Sequence, residues 1–133
     1  VLGAAMNRPV PEHLSKMVDD GMLGRKSGQG FYEWRDGKAI KPAADNAQIP
    51  RDIEDRLILP MVNEAVACLH EGVVTEADLL DAGVIFGTGF APFRGGPLNY
   101  AKERGKSEVL AALKALADKH GERFQPHAGW ANL

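Results

Sequence analysis

The chain has 133 residues, 44% of them hydrophobic and 26% charged, with a formal net charge of −2. That length supports a domain with a real core, and the scattered lysines and arginines form no basic patch of the kind that favours nucleic acid or an anionic membrane surface. No apolar run approaches the ~18 residues of a membrane span, and the single cysteine, Cys68, excludes an internal disulfide and a cysteine-based zinc site, which suits a reducing compartment.

The chain opens on Val1, its first residues do not read as a secretory signal, and they resemble the interior of something longer, so we expect a fragment of a larger polypeptide. Pro11 to Asp20 predicts a short helix, with Leu14, Met17 and Val18 at i, i+3, i+4 and Gly21 as its stop. The next stretch, "GMLGRKSGQGFYEWRDG", approaches two phosphate-binding patterns and misses both. A P-loop needs Gly directly before its Lys, and Arg25 intervenes between Gly24 and Lys26. A dinucleotide fingerprint needs a third Gly where Glu33 stands, and it needs a helix to follow. A turn supplied by glycines is the favoured reading, with a phosphate site as its rival. Phe31-Tyr32-Glu33-Trp34 favours extended structure, and Asp36-Gly37 predicts a hairpin turn, so a small ribbon is expected near residues 30–40. Residues 41–50, "KPAADNAQIP", read as a linker.

The strongest helical pattern runs from about Arg51 to Glu71, with Ile53, Leu57, Met61, Glu64/Ala65 and Cys68/Leu69 as the expected apolar face and Pro60 as a kink within one helix. Thr75 to Asp78 predicts a capping box opening a helix to about Phe86. "GTGFAPFRGGP" at 87–97 is a second glycine-rich loop, and Pro97 fits the first turn of a helix through about Arg104. Ser107 is expected to cap another helix, which buries Val109/Leu110, Leu113 and Leu116/Ala117 and stops at Gly121. The tail "ERFQPHAGWANL" reads as irregular, anchored by Phe124 and Trp130. The pattern is all-α.

No catalytic set emerges from the residues. His13, His70, His120 and His127 do not recur at metal-ligand spacing, and His70 and His120 fall in last helical turns, where a cation suits the dipole. Cys68 on an apolar helix face reads as a buried, inert thiol. Asp78 with Asp81, or Glu54 with Asp55, could form paired carboxylates, but acids near helix starts are ordinarily solvated cap and dipole residues. The 87–97 loop places Phe86, Phe90 and Phe93 around Arg94. It reads either as a tight connection whose aromatics plug the core or as an apolar pocket wall with Arg94 at its rim.

"DGMLGRKSGQGFYEW" resembles the closing motif of the C-terminal helical domain of 3-hydroxyacyl-CoA dehydrogenases. "RLILPMVNEAVACLHEGVVTEADLLDAGVIFGTGFAPFRGGPLNYA" resembles the start of the same domain where it occurs a second time, in multifunctional fatty-acid oxidation proteins. The match runs from about residue 11 to about residue 104. The resemblance implies a helical domain of the 6-phosphogluconate dehydrogenase-like type. Residues 1–40 would be the tail of a first repeat, 41–50 a linker, and 51–133 a second repeat with the C-terminal tail. It implies a parent protein that oxidises a 3-hydroxyacyl-CoA to the 3-ketoacyl-CoA with NAD, alongside an enoyl-CoA hydratase module. NAD and the catalytic His–Glu pair belong to an upstream nucleotide-binding domain, so no catalytic, cofactor or metal residue is expected in this chain. In the first repeat an Asn-Arg pair precedes the helix proline and that Asn assists at the substrate. The matching positions are Asp55-Arg56, and a carboxylate cannot donate as an amide does.

The implied role of this chain is architectural, with Phe31, Tyr32, Trp34 and Phe86 expected to pack repeats together. Arg25, Lys26, Phe90, Phe93 and Arg94 are the candidate contacts to a CoA ester. The implied partners are the missing nucleotide-binding domain, the acyl-CoA substrate, and a thiolase subunit or a second copy of the chain; neither nucleic acid nor a membrane span is expected. A C-terminus of "ANL" is not the Ser-Lys-Leu peroxisomal address, which favours a bacterial cytoplasm. The rivals are a free-standing helical interaction or acyl-binding module, and a related dehydrogenase acting on another hydroxy acid substrate.

Overall fold

The structure, a computed structural model, describes residues 10–42 and 49–133. The chain divides into two compact units, Val1–Gln48 and Ile49–Leu133. Most of the expected linker, residues 43–48, lies outside the described residues, as do residues 1–9.

In the first unit, helix α1 (Glu12–Asp19) follows Pro11 and buries Met17 alone. Gly21, at φ +74°, turns the chain, and Met22 N–H closes on Met17 O at 2.8 Å. The glycine-rich stretch that follows is a turn organised by Ser27. Its Oγ accepts from Leu23 N–H at 2.8 Å and donates to Gln29 O at 2.8 Å, while Gly24 N–H donates to Gln29 O at 2.8 Å. Gly24 and Gly30 touch backbone to backbone, because a Cβ on Gly30 would stand 2.6 Å from Gly24 Cα. Strands β1 (Glu33–Arg35) and β2 (Lys38–Ile40) then pair antiparallel, with Trp34 opposite Ala39. Asp36 and Gly37 link them at φ +50° and +75°, and positive φ at both central residues matches the right-handed strand twist.

The second unit contains four helices: α2 (Ile53–His70), α3 (Ala77–Thr88), α4 (Pro97–Arg104) and α5 (Lys106–His120). Its core joins Leu59, Val62 and Val66 of α2 to Val109, Leu113 and Leu116 of α5, with Leu98 and Ala101 of α4 between them. Each such fully buried side chain contributes about 1.5–3 kcal/mol. The α5 face and both ends of α4 agree with the sequence pattern. α2 passes through Pro60 as one helix.

Four expectations change. The core face of α2 is Leu59, Val62 and Val66 rather than the Leu57–Met61 stripe; Leu57 is 68% exposed. Both faces are apolar, so periodicity alone could not choose between them. The Thr75 capping box does not form: Glu76 stands at the N-cap of α3 with no side-chain bond to the helix. Ser107 does not cap α5, because Gly105 at φ +95° alone joins α4 to α5 and leaves Ser107 inside the first turn. The tail is not irregular. It forms 3-10 turns at Glu122–Phe124 and Ala128–Asn132, and Phe124 and Trp130 are the buried anchors the sequence suggests. No helix among the described residues is long and apolar enough to cross a membrane.

Candidate functional site

The second glycine-rich loop carries the most concave ground that also holds a charge. Gly89 ends α3 in the left-handed region, Pro92–Arg94 make a 3-10 turn, and Gly95 and Gly96, at φ +69° and +105°, deliver Pro97 to the first turn of α4. Within this path the two aromatics separate. Phe90 points into the core at 9% exposure, and Phe93 points outward at 84%. The Arg94 guanidinium carbon lies 5.8 Å from the ring centres of both Phe93 and Tyr100, within cation–π range. A cleft of about 400 Å³ opens here, walled by Ile58, Met61, Phe90 and Tyr100 and rimmed by Glu54 and Arg94. Both readings of the loop therefore hold in part: Phe90 plugs, and Arg94 stands at a rim.

A second hollow of about 260 Å³ brings Arg94 and Tyr100 beside Glu54, Glu103 and Arg104. Arg104 is already committed. Nη1 and Nη2 donate to the two oxygens of Asp55 (Nη2–Oδ2 3.0 Å), Nε donates to Glu108 at 2.8 Å, and Nη1 donates to Tyr100 Oη at 3.2 Å. These bonds, Asp55 foremost, hold the guanidinium above its ordinary range. Asp55 thus has both carboxylate oxygens occupied in tying α2 to the end of α4.

The remaining candidates lie elsewhere. Arg25 and Lys26 are exposed in the first unit, where Arg25 leans over the hairpin: a Cβ on Gly37 would stand 3.2 Å from its Nη2. Phe31 is 71% exposed, Tyr32 is exposed and Trp34 is half-buried, while Phe86 on α3 is 90% exposed. The structure brings only Phe90 and Arg94 of the named residues into one cleft. His70 and His127 meet edge to face at 5.6 Å, and His127 Nδ1 accepts from Gly129 N–H at 3.1 Å. Among the described residues no three His, Cys, Asp or Glu side chains converge as a metal site would require.

Three residues escaped the sequence reading. Asp81 is buried, and its carboxylate accepts from Leu98 N–H at 2.7 Å and Asn99 N–H at 2.9 Å. Asn63 donates to Gln125 O at 2.9 Å and accepts from His127 N–H at 2.9 Å and Trp130 Nε1–H at 2.8 Å. Asp52 Oδ2 accepts from Lys119 Nζ at 2.6 Å and stands 3.1 Å from His120 Nε2. The Lys119 hydrogen bond, followed by that of His120, holds the Asp52 carboxyl down at about 2. These partners lie more than fifteen residues apart in the chain, so no local pattern announces them.

No protein-family model matches the chain. Individual proteins do. Over 90% of its length it is 38% identical to the fatty acid oxidation complex subunit alpha of Vibrio vulnificus and 37% identical to that of Vibrio cholerae. Over 87% it is 36% identical to the subunit of Shewanella loihica. The chain is homologous to one segment of the α subunit. It spans 18% of the length of these α subunits, so most of the α-subunit sequence has no counterpart here. The similarity bears on the glycine-rich turn, the one stretch that approached a dinucleotide pattern. Gly28 to Gly30 lead from one backbone bridge to another and into the hairpin, with no helix N-terminus beyond them. A pyrophosphate needs that N-terminus and its free N–H groups, so these residues do not fit NAD.

Proposed function

We propose that this chain is the C-terminal part of a multifunctional fatty-acid oxidation protein that converts a 3-hydroxyacyl-CoA to the 3-ketoacyl-CoA with NAD and joins this to an enoyl-CoA hydratase. The chain's own role is architectural. Its helices complete the substrate-side scaffold and support a dehydrogenase module lying in the rest of the polypeptide. The similarity to α subunits over nine-tenths of the chain supports the parentage. The observation that carries the architectural role is Asp55. It stands where the first-repeat resemblance implies a substrate-assisting Asn, and here both its oxygens are bonded to Arg104. A group so engaged braces two helices instead of meeting a substrate.

The test is NADH oxidation with acetoacetyl-CoA, run on the purified chain and on the full-length parent polypeptide. The chain is expected to show no rate above background and the parent a saturable one. Turnover by the chain alone would overturn the architectural role, and an inactive parent would overturn the reaction. The reading places the protein in a bacterial cytoplasm, with a thiolase subunit or a second copy as further partners.

The Phe90–Arg94 cleft favours a second reading, in which the chain also touches the acyl-CoA. Its apolar walls suit an acyl chain, and its volume falls in the range of small-molecule sites. Calorimetric titration of the chain with acetoacetyl-CoA checks it: heat that saturates supports contact, and a flat trace from a folded sample leaves architecture alone.

A further inference from the structure

Helix α3 is apolar along most of its twelve residues, "ADLLDAGVIFGT", and buries only Leu80 and Asp81. Leu79, Gly83 and Phe86 recur at i, i+4, i+7 and so share one stripe, on which Leu79 is 59% exposed and Phe86 more so. Helix α2 carries a matching stripe beside its core face: Leu57, Met61, Ala65 and Cys68, at i, i+4, i+8, i+11. Between the helices lie two hollows, the 400 Å³ cleft at Phe90 and another of about 380 Å³ walled by Ala65, Cys68, Val74, Leu79 and Val84. Both are lined by Met61 and Thr88, so they meet as one trough along α2.

We infer that this trough is the seat of an amphipathic α-helix from the part of the parent polypeptide that lies outside this chain. The inference rests on the proposed parentage and not on the proposed reaction. Two apolar stripes at helical spacing on either side of an open trough are the helix-in-groove arrangement, in which the incoming helix presents anchors at i, i+3/i+4 and i+7. Gly83 has no atom within 4 Å of where a Cβ would sit, leaving room for the visiting helix beside α3. Charge specifies the visitor further. Glu54 and Glu64 line the trough and enter no ion pair among the described residues, so basic residues should flank its apolar stripe, with an acid at the Arg94 end. Relatives supply abundant candidate chain, since the match covers 18% of their length.

Cys68 is the only cysteine and lines the trough, which makes it the reporter. Its alkylation by N-ethylmaleimide, followed by mass spectrometry of the Cys68 peptide, is compared between this chain and the full-length parent. A seated helix should slow the reaction about tenfold or more in the parent. Leu79→Glu with Phe86→Glu should return the parent's rate toward that of the isolated chain. Both sites are exposed here, so the circular dichroism and Tm of the isolated double variant should match the unsubstituted chain. Equal rates in chain and parent, or protection that survives the double variant, would overturn the inference. So would protection of the isolated chain that grows with its own concentration, which marks a second copy. Equal rates together with protection of the isolated chain by S-octanoyl-N-acetylcysteamine would mark an acyl ligand and also overturn it. Acetoacetyl-CoA turnover measured on the same parent sample reports separately on the reaction: an inactive parent with Cys68 protected keeps the groove and loses the enzyme.

Discussion

Asp81 and Gly96 are in contact because one replaces what the other lacks. Gly96 stands at the N-cap of α4, where a Ser, Thr or Asp side chain would ordinarily accept from the first-turn amides. It has no side chain, and the Asp81 carboxylate arrives from α3 to accept from Leu98 and Asn99 N–H instead. A Cβ on Gly96 would collide with Asp81 Cβ and Cγ, and the backbone there has φ +105°. The Gly-Gly-Pro sequence is thus the receptor for a cap delivered from another helix.

Asp81→Ala should therefore lower the unfolding free energy by about 2–3 kcal/mol, since it strips a charged acceptor from two amides in a buried setting. Gly96→Ala should fall in a similar range through strain and displacement of the cap. Urea denaturation of each variant checks this; a loss below about 0.5 kcal/mol for Asp81→Ala would show that the cap is dispensable.

Asn63 holds the C-terminal tail on α2 through three hydrogen bonds, one of them to the Trp130 indole. Asn63→Ala should cost about 1–3 kcal/mol. It should also shift tryptophan emission to the red as Trp130, 3% exposed in the native fold, meets water. Because Trp34 also emits, the comparison is made in a Trp34→Phe background.

Asp52 gives the fold an acid-sensitive contact. Its folded pKa of about 2 lies below the ordinary carboxylate value, so it adds stability that is complete above about pH 4. That contribution falls away as the pH drops toward 2. Asp52→Asn should lower Tm at pH 7, and the gap between variant and unsubstituted chain should close between about pH 4 and pH 2. Thermal melts across that window test the sign; a gap constant with pH would remove Asp52 as its source.

Arg104→Lys keeps the charge and loses the fork that binds both Asp55 oxygens, together with the reach to Tyr100 and Glu108. The pair is only partly buried, with about a fifth of the Arg104 side chain and a quarter of the Asp55 side chain exposed, so the expected cost is about 1–2 kcal/mol. Double-mutant cycles with Asp55→Asn should show coupling between the two positions by urea unfolding.

Much of the fold was legible because its signals are local. Gly21, Asp36-Gly37, Pro97 and Gly121 each mark a turn or boundary through their own backbone preference, and the α5 stripe has one apolar face to bury. The errors share a cause. α2 has two apolar stripes, and periodicity announces both without ranking them. Thr75 and Ser107 have cap chemistry, but the conformations of Glu76 and Gly105 set the helix starts. Of the candidate site, the loop was visible as a glycine-rich break with aromatics and one arginine. That Phe90 turns inward while Phe93, three residues on, turns outward depends on the 3-10 turn between them.

The sequence by itself determined the helices and the hairpin, because propensity, glycine conformation and proline act within a few residues. Tertiary structure alone decided which α2 stripe entered the core, that Asp81 became a cap, and that Asp55 became a brace for Arg104. Those outcomes depend on partners 17 and 49 residues away, and a side chain's chemistry fixes what it can bond but not which distant backbone the fold brings within reach.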